Sequence, residues 1–140
     1  RADNKSMLVW LDDAGKIASY ADVPDIALDL IEVADKPTTI IYPGAKRLAP
    51  NLIAEDGTIG IRITREEFTR SLIFRYNKPI VSTSANISGE PSTHFFGEIS
   101  EEIKNAVDYI VDYRRNDHKP AAPSSLIKLG MGGAIQIIRK

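Results

Sequence analysis

The chain has 140 residues, 43% hydrophobic and 26% charged, with a formal net charge of −1 and no cysteine. That length suits one domain with a real core. The lack of cysteine excludes disulfides, thiolate catalysis and zinc–thiolate sites and is compatible with a reducing cytoplasm, while balanced charge gives no global field that would draw the chain onto nucleic acid or an anionic membrane. No apolar run approaches the ~18 residues of a membrane span, so a soluble protein is expected. Arg1 opens the chain without an initiator Met or the pattern of a signal peptide, so the chain is expected to be cut from something longer.

In chain order, residues 6–11 (SMLVWL) read as a first strand. Asp12 and Asp13 then read as a turn. Pro24 opens a helical run with Ile26, Leu30, Val33 and Ala34 at helical spacing, and Pro37 prevents its continuation. Residues 38–42 (TTIIY) form a second strand, stopped by Pro43 and Gly44. Residues 57–63 (GTIGIRI) alternate, placing Ile59, Ile61 and Ile63 on one face and Thr58, Gly60 and Arg62 on the other. Thr64 followed by Glu67 reads as a capping box for a helix to about Arg75, with Phe68, Leu72 and Ile73 as its buried stripe. Residues 79–84 are a further strand; Ser100 caps a helix through Ile103 to Val107; residues 108–111, 125–129 and 134–139 complete seven candidate strands. Alternating strands and helices predict mixed α and β layers around one sheet. Residues 45–56, 89–98 and 114–122 are long polar or Pro/Gly-rich loops, a common place for function.

The densest chemistry lies in PIVSTSANISG at residues 79–89. Hydroxyls of Ser82, Ser84 and Ser88 and the Asn86 amide can bind phosphate or carboxylate oxygens, and Ala85 and Gly89 let a ligand approach the backbone. The same residues also suit a strand end followed by an Asn/Gly turn. A second small-residue cluster, Pro123-Ser124-Ser125, precedes a strand in the same way. Arg62 and Arg139 carry the fork that fits carboxylate and phosphate, although a solvated surface charge is the ordinary role of a single Arg, and of Arg1 and Lys5.

No P-loop, dinucleotide-binding glycine motif, zinc-protease motif or nucleophile elbow is present. His94 and His118 read as surface residues without ligand spacing, and nothing marks a metal site or a protein nucleophile.

Taken in order, RADNKSMLVW at residues 1–10, Pro37-Thr38-Thr39, residues 57–63, STSANISGEPS at 82–92, PSSLI from Pro123 and the IIR ending at Arg139 resemble the YrdC family of threonylcarbamoyl-AMP synthases over essentially the whole chain. The resemblance implies one YrdC-like domain over residues 1–140, an α/β (α+β) fold with a twisted mixed sheet of about seven strands and helices on its faces. It implies a nucleotidyltransferase that joins L-threonine, bicarbonate and ATP, brought with Mg2+, into threonylcarbamoyl-AMP and pyrophosphate. That product feeds threonylcarbamoyladenosine formation with the tRNA-modification machinery. Carried over residue by residue, Arg1, Lys5, Thr58, Ser84, Asn86, Ser92 and Arg139 are the ATP-facing set, and Trp10, Arg62, Ser82 and Ser124 the threonine-facing set. Ser82, Ser84, Asn86, Ser124, Arg62 and Arg139 are expected to converge on one cleft, with Arg62 and Arg139 on the same face of the sheet. The resemblance also implies a cytoplasmic protein without membrane contact. Two other readings remain open: a module binding double-stranded RNA or tRNA weakly, and the carbamoyl-transfer subdomain of a larger maturation protein. The family's N-terminal strand and a Lys two places before Arg1 have no counterpart here, so this chain by itself is expected to bind nucleotide weakly and to have little synthase activity.

Overall fold

Short runs of β-branched residues become strands where a neighbour satisfies their backbone groups. The computed structural model describes residues 7–120 and 123–140. Among the described residues, six strands form one sheet in the order β4-β1-β3-β2-β5-β6. They are β1 Leu8–Leu11, β2 Thr38–Tyr42, β3 Ile59–Ile63, β4 Ile80–Ser82, β5 Ser125–Leu129 and β6 Ile135–Arg139. The helices are α1 Ile26–Val33, α2 Glu67–Tyr76 and α3 Glu101–Ala106. β1 runs parallel to β3 and β2 parallel to β5, whereas β4 on β1, β2 on β3 and β6 on β5 are antiparallel, so the sheet is mixed as expected. The described residues divide into two compact units: residues 7–82 with 124–140, which hold the whole sheet with α1 and α2, and residues 83–120 with Pro123, which hold α3.

In the sheet unit, period-two alternation sends Val9 and Leu11, Ile40 and Tyr42, Ile59 and Ile61, and Leu129 to one face, where all are buried. α1 brings Ala27, Leu30 and Ile31 onto this layer, and the 3-10 turn Ala14–Ser19 adds the buried Ile17. Asp13 caps that turn by accepting from the Gly15 amide at 2.9 Å, which makes the Asp12-Asp13 turn concrete.

Five expectations need correction. The sheet has six strands, because residues 108–111 do not join it; the Arg115 guanidinium donates to the Ile110 and Val111 carbonyls at 2.8 and 3.2 Å, occupying acceptors a ladder would need. The cap of α2 is Glu66, whose carboxylate accepts from the Phe68 and Thr69 amides, while Thr64 still donates its amide to Leu11 in the extension of β3. The buried stripe of α2 shrinks to Ile73, with Phe68 and Leu72 exposed, because α2 lays only a narrow strip inward. On α1 the fully buried residue is Ala27, and Val33 is exposed at the last turn. The first strand begins at Leu8; Ser6 lies outside the described residues.

Candidate functional site

The face of the sheet opposite this core is built by the same alternation. Register places Trp10 of β1 beside Arg62 of β3, Arg62 beside Thr39 of β2, Thr39 beside Leu126 of β5, and Leu126 beside Arg139 of β6. Directly paired residues share a face, so one transverse row crosses β1, β3, β2 and β5 and carries Arg62 and Thr39 on the same side; at β6 the register shifts between Leu126 and Ile127, and the regular row ends there. Ser82 of β4 pairs with Leu8, two residues from Trp10, and so belongs to this face too. Gly60, paired with Leu8 and Ile41, leaves space beside Arg62; a methyl group there would touch Thr39 and Leu8.

Arg62 lies over the Trp10 ring, 5.1 Å from its centroid, which orients the guanidinium by cation–π attraction. Its burial disfavours the charge and lowers the guanidinium pKa, yet among the described residues no carboxylate pairs with it. The Trp10 indole N–H is also buried without a partner among the described residues. A half-buried cation and an orphaned donor side by side suit an anionic ligand group.

Farther along the row, the buried hydroxyls of Thr39 and Ser124 meet at 2.8 Å, and Arg139 Nε donates to the Ser124 carbonyl at 2.8 Å. Ser124 is thereby held at both its side chain and its main chain. Sequence reading singled out Ser124 and Arg139 but not Thr39, although its place in an alternating strand, out of phase with Ile40, was a signal for this face.

Thr58, just before β3, is buried, and its hydroxyl donates to Asp56 Oδ1 at 2.7 Å. Asp56 Oδ2 accepts from Lys128 Nζ at 2.6 Å, and these hydrogen bonds, Lys128 first and Thr58 next, hold the Asp56 carboxyl at about 2. The Thr58 proton therefore points to Asp56 in this structure.

Ser84, Asn86 and Ser92 belong to the other unit. The Asn86 amide nitrogen donates to the Ile87 and Glu90 carbonyls at 3.1 and 2.7 Å, closing a turn with Gly89 at φ 89°. This is the Asn/Gly turn, and in it Asn86 shapes the loop. Ser84 and Ser92 are exposed. His94 is exposed, and His118 packs edge-on against Phe95 at 5.3 Å. Arg1 and Lys5 lie outside the described residues. Among the described residues no group of three or more His, Cys, Asp or Glu could hold a metal ion.

A mixed sheet with an apolar face under a helix and an opposite face that carries guanidinium and hydroxyl groups defines an α+β domain. The chain belongs to the Sua5/YciO/YrdC family, described as telomere recombination, whose profile matches residues 1–140. A Methanocaldococcus jannaschii protein, named provisionally as a threonylcarbamoyl-AMP synthase, is 37% identical over 130 residues, covering 92% of this chain and 59% of the relative. The chain thus spans about three-fifths of that relative. Among solved structures, E. coli YciO superposes with a TM-score of 0.80 at 21% identity, covering 99% of this chain and 67% of YciO. Full-length HypF in a phosphate- and nucleotide-bound form gives 0.77 at 25% identity, covering 96% of this chain and 21% of HypF. P. abyssi Sua5 complexed with L-threonine gives 0.74 at 23% identity, covering 92% of this chain and 38% of Sua5.

Proposed function

We propose that this chain is the threonine- and ATP-binding part of a threonylcarbamoyl-AMP synthase. The observation that carries the reading is the Trp10–Arg62 pair, a half-buried guanidinium without an anionic partner among the described residues, beside an orphaned indole N–H. Family membership and the naming of a relative support the same reading. In this proposal Arg62 grips the threonine carboxylate bidentately, and Trp10, Ser82 and Ser124 complete the amino-acid side. Arg139 and Thr58, with Ser84, Asn86, Ser92, Arg1 and Lys5, serve the nucleotide.

The chemistry suits a site of cations and hydroxyls. The threonine amine adds to bicarbonate with loss of water, giving a carbamate. A carbamate oxygen then forms a bond to the α-phosphorus while the bond to the β-phosphate bridge breaks, and pyrophosphate leaves; Mg2+ would come and go as part of the nucleotide substrate. No protein nucleophile is required; alignment of carbamate with phosphorus and neutralisation of the developing charge lower the barrier. The adenylate then serves threonylcarbamoyladenosine formation on tRNA, in the cytoplasm. Among the described residues no helix is long and apolar enough to cross a membrane.

The likeness to HypF favours a second reading, a carbamoyl-transfer subdomain of a larger maturation protein. One experiment tests both. In the full natural chain, pyrophosphate release from ATP should require threonine and bicarbonate together. Release that ignores threonine would overturn the synthase reading and favour the second.

A further inference from the structure

We infer that Thr39 is a positioning residue for amino-acid binding: its buried hydroxyl fixes the direction in which Ser124 presents its own hydroxyl. The inference rests on the threonine-binding reading of the Arg62 face and adds a residue to it.

Thr39 is 1% exposed, yet sits in mid-strand on the ligand-facing side of the sheet. A buried hydroxyl needs a partner, and here the partner is another hydroxyl, Ser124 Oγ at 2.8 Å, 85 residues away in the chain. Parallel pairing of β2 with β5 makes the meeting possible, because Thr38 lies opposite Ser125 and Thr39 opposite Leu126. A serine hydroxyl left alone rotates freely and can donate or accept. Bound to Thr39, Ser124 has either its proton or one lone pair committed to that bond, so a ligand on this face meets a hydroxyl of defined direction.

Ser124 is held separately at its carbonyl by Arg139 Nε. That second anchor makes the proposal testable, since removing the Thr39 hydroxyl leaves the Arg139 contact to the main chain in place. A positioning role therefore weakens the amino acid without weakening the nucleotide. A purely structural role weakens both.

The experiment uses the full natural chain with Thr39→Val, which keeps the branched shape, and Thr39→Ser, which keeps the hydroxyl and serves if the valine variant folds poorly. Threonine and ATP affinities and their KM values are measured separately, alongside thermal unfolding. Thr39→Val should weaken threonine about three- to tenfold, the range of one hydrogen bond, with ATP affinity unchanged; Thr39→Ser should restore threonine affinity. Unchanged threonine affinity in Thr39→Val, equal weakening of both ligands, or threonine affinity lost in a folded Thr39→Ser overturns the inference. A parent protein that binds no threonine overturns the underlying functional reading as well, and so is told apart from failure of Thr39 alone.

Discussion

At the scale of single residues, Arg62 is the side chain on which most of the proposed chemistry turns. Its guanidinium is fixed over an aromatic ring in a partly desolvated place, so replacing it by an ammonium changes geometry more than charge. Arg62→Lys should raise the threonine dissociation constant roughly tenfold or more, from loss of one charge-assisted hydrogen bond of ~1.5–3 kcal/mol, with little change in thermal stability. Trp10 is the only tryptophan in the chain, so its fluorescence should follow a threonine titration directly; a parent signal that ignores threonine would disprove placement of the ligand beside Trp10. Asp56 offers a different test, through pH. Its carboxyl is held at about 2 against an ordinary 3.8, so its contribution to stability is present above about 3.8 and is lost as pH falls through about 2. Because the carboxylate is exposed, that contribution is small; the readable quantity is its titration. Lys128→Ala should move the Asp56 midpoint upward toward 3.8 in a carboxyl NMR titration, and an unmoved midpoint would show that the Lys128 bond does not hold it.

Element by element, the sequence disclosed the kinds of structure better than their junctions. The strands at residues 38–42 and 125–129 were read with their boundaries, because β-branched runs stopped by Pro or Gly leave little choice. The entry to α2 was misplaced by two residues for a physical reason. Thr64 has the right chemistry for a cap but remains in the extension of β3, hydrogen-bonded to Leu11, so the first free amides fall to Glu66. Glu66→Ala should therefore cost about 1 kcal/mol in denaturant unfolding, and a cost near zero would mean that water caps the helix equally well. The exit of α1 shows the converse case, a junction that no local pattern could announce. Its last turn is clamped from 31 to 34 residues away, where Arg65 donates to the Ile31 and Ala34 carbonyls at 2.6 and 2.8 Å. Carbonyls at a helix C-terminus favour a cation, so Arg65→Ala should lower the thermal midpoint, while Arg65→Lys should recover part of the loss.

On the scale of the whole molecule, alternation in β3 showed that Arg62 faces away from Ile59 and Ile61, but it could not say which strands stand beside it. Its neighbours β1 and β2, and β5 beyond β2, lie far apart in sequence, and pairing between distant strands is set by the complete core; this is why Thr39 went unread while Arg62 and Ser124 were found. The same separation of local from collective order bears on stability. Every residue of the buried apolar cluster belongs to the unit of residues 7–82 with 124–140. Among the described residues of Thr83–Pro123 none of the apolar side chains is fully buried, and Val107, Tyr109 and Tyr113 are 48%, 79% and 45% exposed. Local opening free energy follows buried apolar contact, so native-state hydrogen exchange should find amides of β1, β2 and β3 the slowest. Amides of α3 and of the Asn86 turn should exchange at least about tenfold faster, an opening less costly by about 1.4 kcal/mol. If nucleotide binds the serines and Asn86 as proposed, ATP should slow exchange in residues 83–93 more than in the central strands, because ordering is available only where it is not already complete. Uniform protection over both units without ligand would show that the second unit is stabilised as firmly as the sheet, and protection by ATP confined to the strands would remove residues 84, 86 and 92 from the nucleotide site.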